Sequence, residues 1–448
     1  MSEKSAMASS GSHRGGFGDL GGEERGFIDR SFREKIILVG LDMGNTSDLS
    51  ITAQMSELER LVSTAGADVV HHIVQKRESP DPATFIGRGK VGEIFELAEE
   101  YDADTIVFND ELSPAQQNNL EKAFKRSAID RTAVILDIFA QNASTPEGKA
   151  QVELAQLQYL LPRLRGRGVT LSQQAGGIGT RGPGETKLEV DRRRLVRKIH
   201  NLQKQLSGIR STRENQSKRR RGSVNQSVAI VGYTNAGKSS LLNCLTQSDH
   251  DALVADRLFA TLDPVTRALQ LPGGEKIFVS DTVGFVRNLP HHLVEAFKTT
   301  LDVVTEADLL IHVVDGSSMN AQKDIIAVRN VLDEIGLKAD LPELIVFNKA
   351  DIGGTEPALV DYPNAVQISA KTGEGVEKMM SKLSDMLRSK LDVYELLIPL
   401  TRGDLIAQVH REAQVLIEDV QGDTLVMRAR LDGYAKARLA GLISGEAE

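Results

Sequence analysis

Apolar runs and helical periods alternate along most of the chain. "KIILVGLD" (Lys35 to Asp42), "DVVHHIVQ", "TIVFND" and "AVILDIF" read as strands, spaced by amphipathic stretches such as the one ending near Gly66 and "KVGEIFELAEEYD". That alternation predicts a small α/β domain with a mainly parallel sheet over residues 34–140. The pattern then changes. Ala150, Leu154, Leu157, Leu161 and Leu164 step by four and three, as do Leu195, Ile199, Leu202, Leu206 and Ile209, the spacing of a seam between paired helices. Between the two lies "RGRGVTLSQQAGGIGTRGPGETK", too rich in glycine to be helical. Residues 141–222 therefore predict an antiparallel hairpin with a long tip, and "STRENQSKRRRG" reads as its end and a linker. A tip this long is either functional or disordered. Arg165, Arg167, Arg181 and Lys187 among the glycines favour function, since basic side chains and bare amides both suit phosphates.

A further domain is expected over residues 223–392. "SVAIVG", "KIFVSD", "LLIHVVD", "ELIVFN" and "AVQISA" are near-continuous apolar runs between helical segments, as in the central strands of a doubly wound sheet covered on both faces. From 393 to 448 the pattern shortens to a strand "LLIPL", a helix to Ala413, a hairpin about Gly422-Asp423 and a last helix, a small α+β appendage. Residues 1–33, rich in Gly and Ser and without a hydrophobic period, read as a disordered tail.

Composition narrows the class. The chain has 448 residues and one cysteine, Cys244, in an amphipathic helix, so core packing is expected of it rather than redox or metal chemistry. No apolar run is long enough to span a bilayer, and no apolar leader is visible, so a cytosolic protein is expected. Charge is uneven. Arg192 to Arg221 holds twelve Lys or Arg and one acid, Glu214, so it carries +11 of a total of −8 and leaves −19 on the rest. A basic segment on an acidic chain suits a polyanion such as RNA, or else is a solvated helix face.

The chemistry is concentrated in the middle. "GYTNAGKS" places Gly232, Tyr233, Thr234, Asn235, Ala236, Gly237, Lys238 and Ser239 directly after a predicted strand. That is the phosphate-loop pattern: close-wrapping glycines turn amides inward, Lys238 meets the β- and γ-phosphates, and Ser239 can ligate Mg²⁺. "NKAD" follows another strand, and Asp351 in it can accept from guanine N1–H and its exocyclic amine, which adenine cannot match. Asn348 would brace the loops, and Lys349 and Ala350 would line the base. In "SAK", after the next strand, Ser369, Ala370 and Lys371 bring a main-chain amide, at Ala370, to guanine O6. GTP is thus the expected nucleotide.

Between these motifs lie candidate sensors of the third phosphate. "DTVGF" offers Asp281 for Mg²⁺ through water and the Gly284 amide for the γ-phosphate, with Thr282 and Val283 between them. "FATLDPVTR" offers Phe259, Ala260, Thr261, Leu262 and Asp263, with Thr261 as the switch hydroxyl for Mg²⁺ and Thr266 as competitor. Phe285 stands where many such switches carry a glutamine that orients the attacking water, and a phenyl ring cannot do so. "GRGK" (Gly87 to Lys90) lacks phosphate-loop spacing and reads as a flexible turn. The side chains of the adjacent pairs His71-His72 and His291-His292 would diverge on a strand or helix and face solvent, which leaves Mg²⁺ as the one metal expected.

With "FIGRGK", "GGIGTRGPGETKLEVDRR", "GYTNAGKS", "FATLDP", "DTVGF" and "NKAD" together, the chain from Lys35 onward resembles the HflX family of translation-factor-class GTPases. The resemblance implies a monomeric GTPase whose N-terminal domain and hairpin engage the large ribosomal subunit. Its tip, residues 176–184, would approach ribosomal RNA near the peptidyl-transferase region, and its role would be to split or rescue ribosomes under stress. It also implies that a hydrophobic residue replaces the catalytic glutamine, so that unaided turnover is slow and the ribosome supplies what is missing. The rival expectation is an RNA-binding or assembly module in which GTP is a conformational ligand and hydrolysis incidental; an ATP-driven RNA remodeller working through "GRGK" is a third.

Overall fold

The computed structural model describes residues 27–28, 33–44, 50–164, 187–220, 226–246, 258–259, 261–272, 276–287, 293, 298–337, 341–353, 361–362, 364–389, 391–431 and 433–446. The chain divides into two compact units, residues 1–206 with 289–296, and residues 207–288 with 297–448.

The first unit begins β1 (Lys35–Asp42), α1 (Ile51–Ala65), β2 (Asp68–Lys76), α2 (Arg88–Glu100), β3 (Thr105–Phe108), α3 (Pro114–Phe124), β4 (Ser127–Asp130), α4 (Arg131–Asn142) and α5 (Pro146–Arg163). Its four strands are parallel in the order β2-β1-β3-β4. Ile37, Val39, Ile106 and Phe108 on the sheet pack with Ile94 and Leu120 from helices. The expected strand "AVILDIF" is instead the body of α4. Asp130 ends β4 and accepts from the Ala133 amide at 3.1 Å, which caps a new helix. Every residue from Arg131 to Phe139 is buried, so the run lost the 3.6-residue period that would have marked it. "GRGK" is no flexible turn either: Gly87 is the N-cap of α2, its amide donating to Gln75 Oε1 at 2.8 Å. Of the tail expected to be disordered, residues 1–26 and 29–32 lie outside the described residues; the Phe27 and Ile28 amides donate to the buried Asp137 carboxylate, and Ile28 is 2% exposed.

A long helix, α6 (Lys187–Arg220), supplies the hairpin's second arm. Ala150, Leu154 and Leu157 form a cluster with Leu195, Ile199, Leu202 and Leu206, the seam that the spacing predicts. The helical backbone runs through to Arg220, beyond the expected linker at Ser211. Arg, Glu, Gln and Lys dominate that stretch and no glycine interrupts it, so intrinsic propensity carries the helix on. The glycine-rich tip lies outside the described residues, as do His291 and His292. Asp130 also anchors α5: Tyr159 donates to its Oδ1 at 2.9 Å and Arg163 to its Oδ2 at 3.2 Å.

The second unit continues with β5 (Ser227–Gly232), α7 (Lys238–Thr246), β6 (Val265–Gln270), β7 (Lys276–Asp281), α8 (Lys298–Thr305), β8 (Leu309–Asp315), α9 (Ala321–Glu334), β9 (Glu343–Asn348), β10 (Val366–Gln367) and α10 (Val376–Ser389). The six-stranded order is β10-β9-β8-β5-β7-β6, parallel except for β6. Strand β6 was hidden in the proline-containing segment, and "AVQISA" shrinks to the two-residue β10, with the Ile368 amide still donating to Phe347 O at 2.8 Å. The final part holds β11 (Val393–Pro399), α11 (Gly403–Glu412), β12 (Gln414–Gln421), β13 (Thr424–Arg430), α12 (Gly433–Leu439) and an unforeseen β14 (Ile443–Glu446). They form an antiparallel sheet in the order β12-β13-β11-β14. The structure is thus α/β and multidomain, with an α+β end. Cys244 is partly buried against the six-stranded sheet's core. Among the described residues no helix is long and apolar enough to cross a membrane.

One partly buried ion cluster gives this unit a pH signature. Glu343 bonds His312 Nδ1 at 2.5 Å and accepts from Arg329 at 2.6 Å. Burial alone would push its carboxyl up, but His312 and Arg329 outweigh that and bring it down to about 2. A carboxyl lower in the folded than the unfolded chain stabilises above its unfolded value and loses that stability as pH falls through the folded one. Melting temperature should therefore drop between about pH 4.5 and about 2, and Glu343→Gln should flatten that part of the curve. Superimposable curves for the two proteins would contradict the assignment.

Candidate nucleotide-binding site

The motifs read from the sequence converge at the carboxyl edge of the six-stranded sheet. The loop between β5 and α7 wraps tightly because Gly237 takes φ +94° and a methyl group there would lie 2.2 Å from Asn348 Nδ2. Asn348 binds two loops at once: its Nδ2 donates to Ala236 O at 2.9 Å and its Oδ1 accepts from the Ala370 amide at 2.9 Å. The brace expected of Asn348 is present. The Ala370 amide, expected to meet guanine O6, is thus set beside Asn348 by the same contact. Ser369 Oγ donates to Asp351 Oδ1 at 2.7 Å and fixes the orientation of that exposed carboxylate. Lys349, in the left-handed region at φ +68°, donates to Asp315 Oδ2 at 2.7 Å, a partner that no motif announced.

At the other end, four polar groups crowd together. Ser239 Oγ lies 2.6 Å from Asp281 Oδ2 and 2.8 Å from Thr261 Oγ1. Thr266 instead pairs with Ser280 on the β6–β7 ladder at 2.7 Å, so Thr261 is the hydroxyl brought to Ser239. Lys238 donates to Tyr233 O at 2.9 Å. Burial pulls its ammonium down to about 8, against the opposing pull of Asp281, and burial pushes Asp281 up. Asp281 Oδ1 is buried with no partner. A hard oxygen set with one buried carboxylate oxygen unsatisfied suits Mg²⁺. Phe259, Leu262, Thr282 and Val283 are buried, and Thr282 Oγ1 donates to Ile230 O at 2.7 Å, so these side chains serve packing. Asp263 is partly buried and Lys371 exposed, whereas Ala260 lies outside the described residues.

Phe285 is 1% exposed. Its carbonyl accepts from the Thr234 amide at 2.8 Å and its amide donates to Gly232 O at 3.1 Å, which lays the "DTVGF" backbone along the phosphate loop. Two residues on, Arg287 donates from its backbone to Tyr233 Oη at 2.9 Å and from Nη2 to Asp324 at 2.6 Å. Neither contact could be foreseen, because each depends on which element folds alongside.

A strand, an amide-lined loop with a buried lysine, a hydroxyl beside an aspartate, and a second Asn-Lys-Ala-Asp loop tied to the first define a P-loop GTPase. Family models described as "GTP-binding GTPase N-terminal", "GTP-binding GTPase Middle Region" and "50S ribosome-binding GTPase" match residues 52–140, 142–220 and 227–349. GTPase HflX of Lacrimispora saccharolytica is 45% identical over 413 residues, covering 92% of this chain and 96% of its own length. GTPase HflX of Escherichia coli K12 is 41% identical over 383 residues, 84% of this chain and 88% of the relative. A solved SsGBP–GDP complex is 25% identical, spans 79% of this chain and 99% of its own, and superposes with a TM-score of 0.44. The chain belongs to the HflX family of GTPases. It hydrolyses GTP, with Mg²⁺ as the usual cofactor.

Removing the brace has a clear expected cost. Asn348→Ala leaves the Ala236 carbonyl and Ala370 amide without their partner, at about 1–3 kcal/mol for a buried group. Guanine-nucleotide affinity, read by displacement of a fluorescent GDP, should fall about tenfold or more. An unchanged affinity would show that the two loops hold their places without it.

Proposed function

We propose that this GTPase binds the large ribosomal subunit, hydrolyses GTP in a ribosome-stimulated manner, and splits or rescues ribosomes under stress in the cytoplasm as a monomer. The match of residues 227–349 to a family described as 50S ribosome-binding carries this reading. The +11 of charge over Arg192 to Arg221 supports it, since a basic arm on an acidic chain suits ribosomal RNA. The glycine-rich tip would reach RNA near the peptidyl-transferase region.

Within the site, the amides of residues 235–239 would cradle the phosphates, with Tyr233 and Thr234 shaping the start of the loop, and Lys238 would face the β- and γ-phosphates. Ser239 and Thr261 would hold Mg²⁺, with Asp281 acting through water; the ion supplies positive charge to the phosphate oxygens. The Gly284 amide would meet the third phosphate. Asp351 would recognise the purine by accepting from N1–H and the exocyclic amine, with Lys349 and Ala350 beside the base and Ser369 and Lys371 completing its loop. Phe285 offers no hydrogen bond to a water, so orientation of the nucleophile falls to groups brought by the ribosome, for which supplied charge is worth about 10³ to 10⁵ in rate.

Two measurements test this. GTP turnover should rise steeply when large subunits are added, and no stimulation would leave the rival reading, a GTP-regulated RNA-binding or assembly module. Asp351→Asn should lower GTP affinity about 100-fold or more, because an amide cannot accept both purine donors, while favouring xanthosine triphosphate, whose C2 carbonyl accepts from the new NH₂. Unchanged discrimination would remove Asp351 from base recognition.

A further inference from the structure

Asp315, the last residue of β8, belongs to none of the nucleotide motifs, yet it is bonded to the loop that carries Asp351. The β8–β9 register sets it opposite Asn348, and the next amide, of Gly316, donates to Asn348 O at 2.9 Å. Its two carboxylate oxygens have separate duties. Oδ1 accepts from the Ser317 amide at 3.0 Å and from the Ser317 hydroxyl at 2.6 Å, which holds the carboxylate in place. Oδ2 accepts from Lys349 Nζ at 2.7 Å.

Lys349 is a residue in need of such a partner. Its backbone sits in the left-handed region at φ +68° and ψ 34°, where a side chain costs about 1–2 kcal/mol. That kink turns the chain out of β9 into the single turn Ala350–Ile352 that presents Asp351. A free lysine side chain also samples many rotamers, and fixing it costs up to about 2 kcal/mol. With Lys349 and Asp315 only 24% and 26% exposed, water and salt screen the pair less than they would at the open surface.

We infer that Asp315 is a positioning residue for guanine-nucleotide binding, which holds the Lys349 stem where the base will lie before the nucleotide arrives. The inference rests on the base-recognition loop proposed above. A stem already ordered loses less entropy when a base docks on it, so the bond strengthens binding without touching the ligand. The stem meets the base, far from the phosphate that is cleaved, so the gain is the same in the ground state and the transition state. It therefore falls on affinity and leaves the hydrolytic step unchanged.

Asp315→Asn separates the two duties: it keeps a carbonyl oxygen for Ser317 and sets an NH₂, which cannot accept, against Lys349. GDP affinity of the full chain, read by displacement of a fluorescent guanine nucleotide, should fall about tenfold, the effect of losing one charge-assisted bond. In unaided turnover KM for GTP should rise about as much, with kcat within about twofold of wild type. Lys349→Ala should itself weaken GDP about tenfold or more, and adding Asp315→Asn to it should cost nothing further, because no stem remains to be positioned. Should Asp315→Asn fold poorly, Ser317→Ala, which loosens the carboxylate without touching Lys349, should give a smaller fall that likewise vanishes in the Lys349→Ala background. Wild-type affinity in folded Asp315→Asn, a loss of kcat at unchanged KM, or an effect that persists undiminished beside Lys349→Ala overturns the inference. Wild-type affinity in Lys349→Ala would overturn the base-recognition loop itself.

Discussion

A carboxylate removed from water organises the centre of this molecule. Asp281 is 0% exposed, one of its oxygens is held by Ser239 and the other has no partner. A buried charge is tolerable only when compensated, and the compensation is Lys238, itself buried and pulled down to about 8. Neither group would be stable alone. Their proximity requires the β5–β7 register that sets Asp281 beside Ile230, and the helix that presents Lys238 and Ser239 together. What the pair leaves unsatisfied is a demand for cations on one side and anions on the other, which Mg²⁺ and a nucleotide's phosphates meet.

The residue after this segment's glycine is fixed in a different way. Phe285 is committed to the core through its ring and to the phosphate loop through its backbone. It therefore anchors the Asp281–Arg287 segment against the phosphate loop, and its ring offers no hydrogen bond to a water.

Much of this was legible in the sequence because the chemistry demands particular residue types at particular spacings. Gly237 and Lys238 in the loop, Asn348 at the end of β9 with Asp351 just after it, and the leucine seam of α5 and α6 could be placed without coordinates. The misreadings have two causes. Strand-like "AVILDIF" is helical because burial on all sides erased its period, and α6 continues past Ser211 because propensity acted where polarity suggested a linker. Arg287 and Asp315 escaped notice for a different reason: each gains its role from a partner in another element, Asp324 on α9 or Lys349 after β9. Such pairings are tertiary facts, and no local pattern encodes them.

The central claim is that Asp281 is kept buried and half-satisfied to receive a metal-bound phosphate. Calorimetric titration of GDP into the full chain with and without Mg²⁺, repeated on Asp281→Asn, addresses it most directly. Mg²⁺ should strengthen GDP binding to the wild-type chain and leave binding to the variant nearly unaffected. Equal dependence on Mg²⁺ in the two proteins would contradict it.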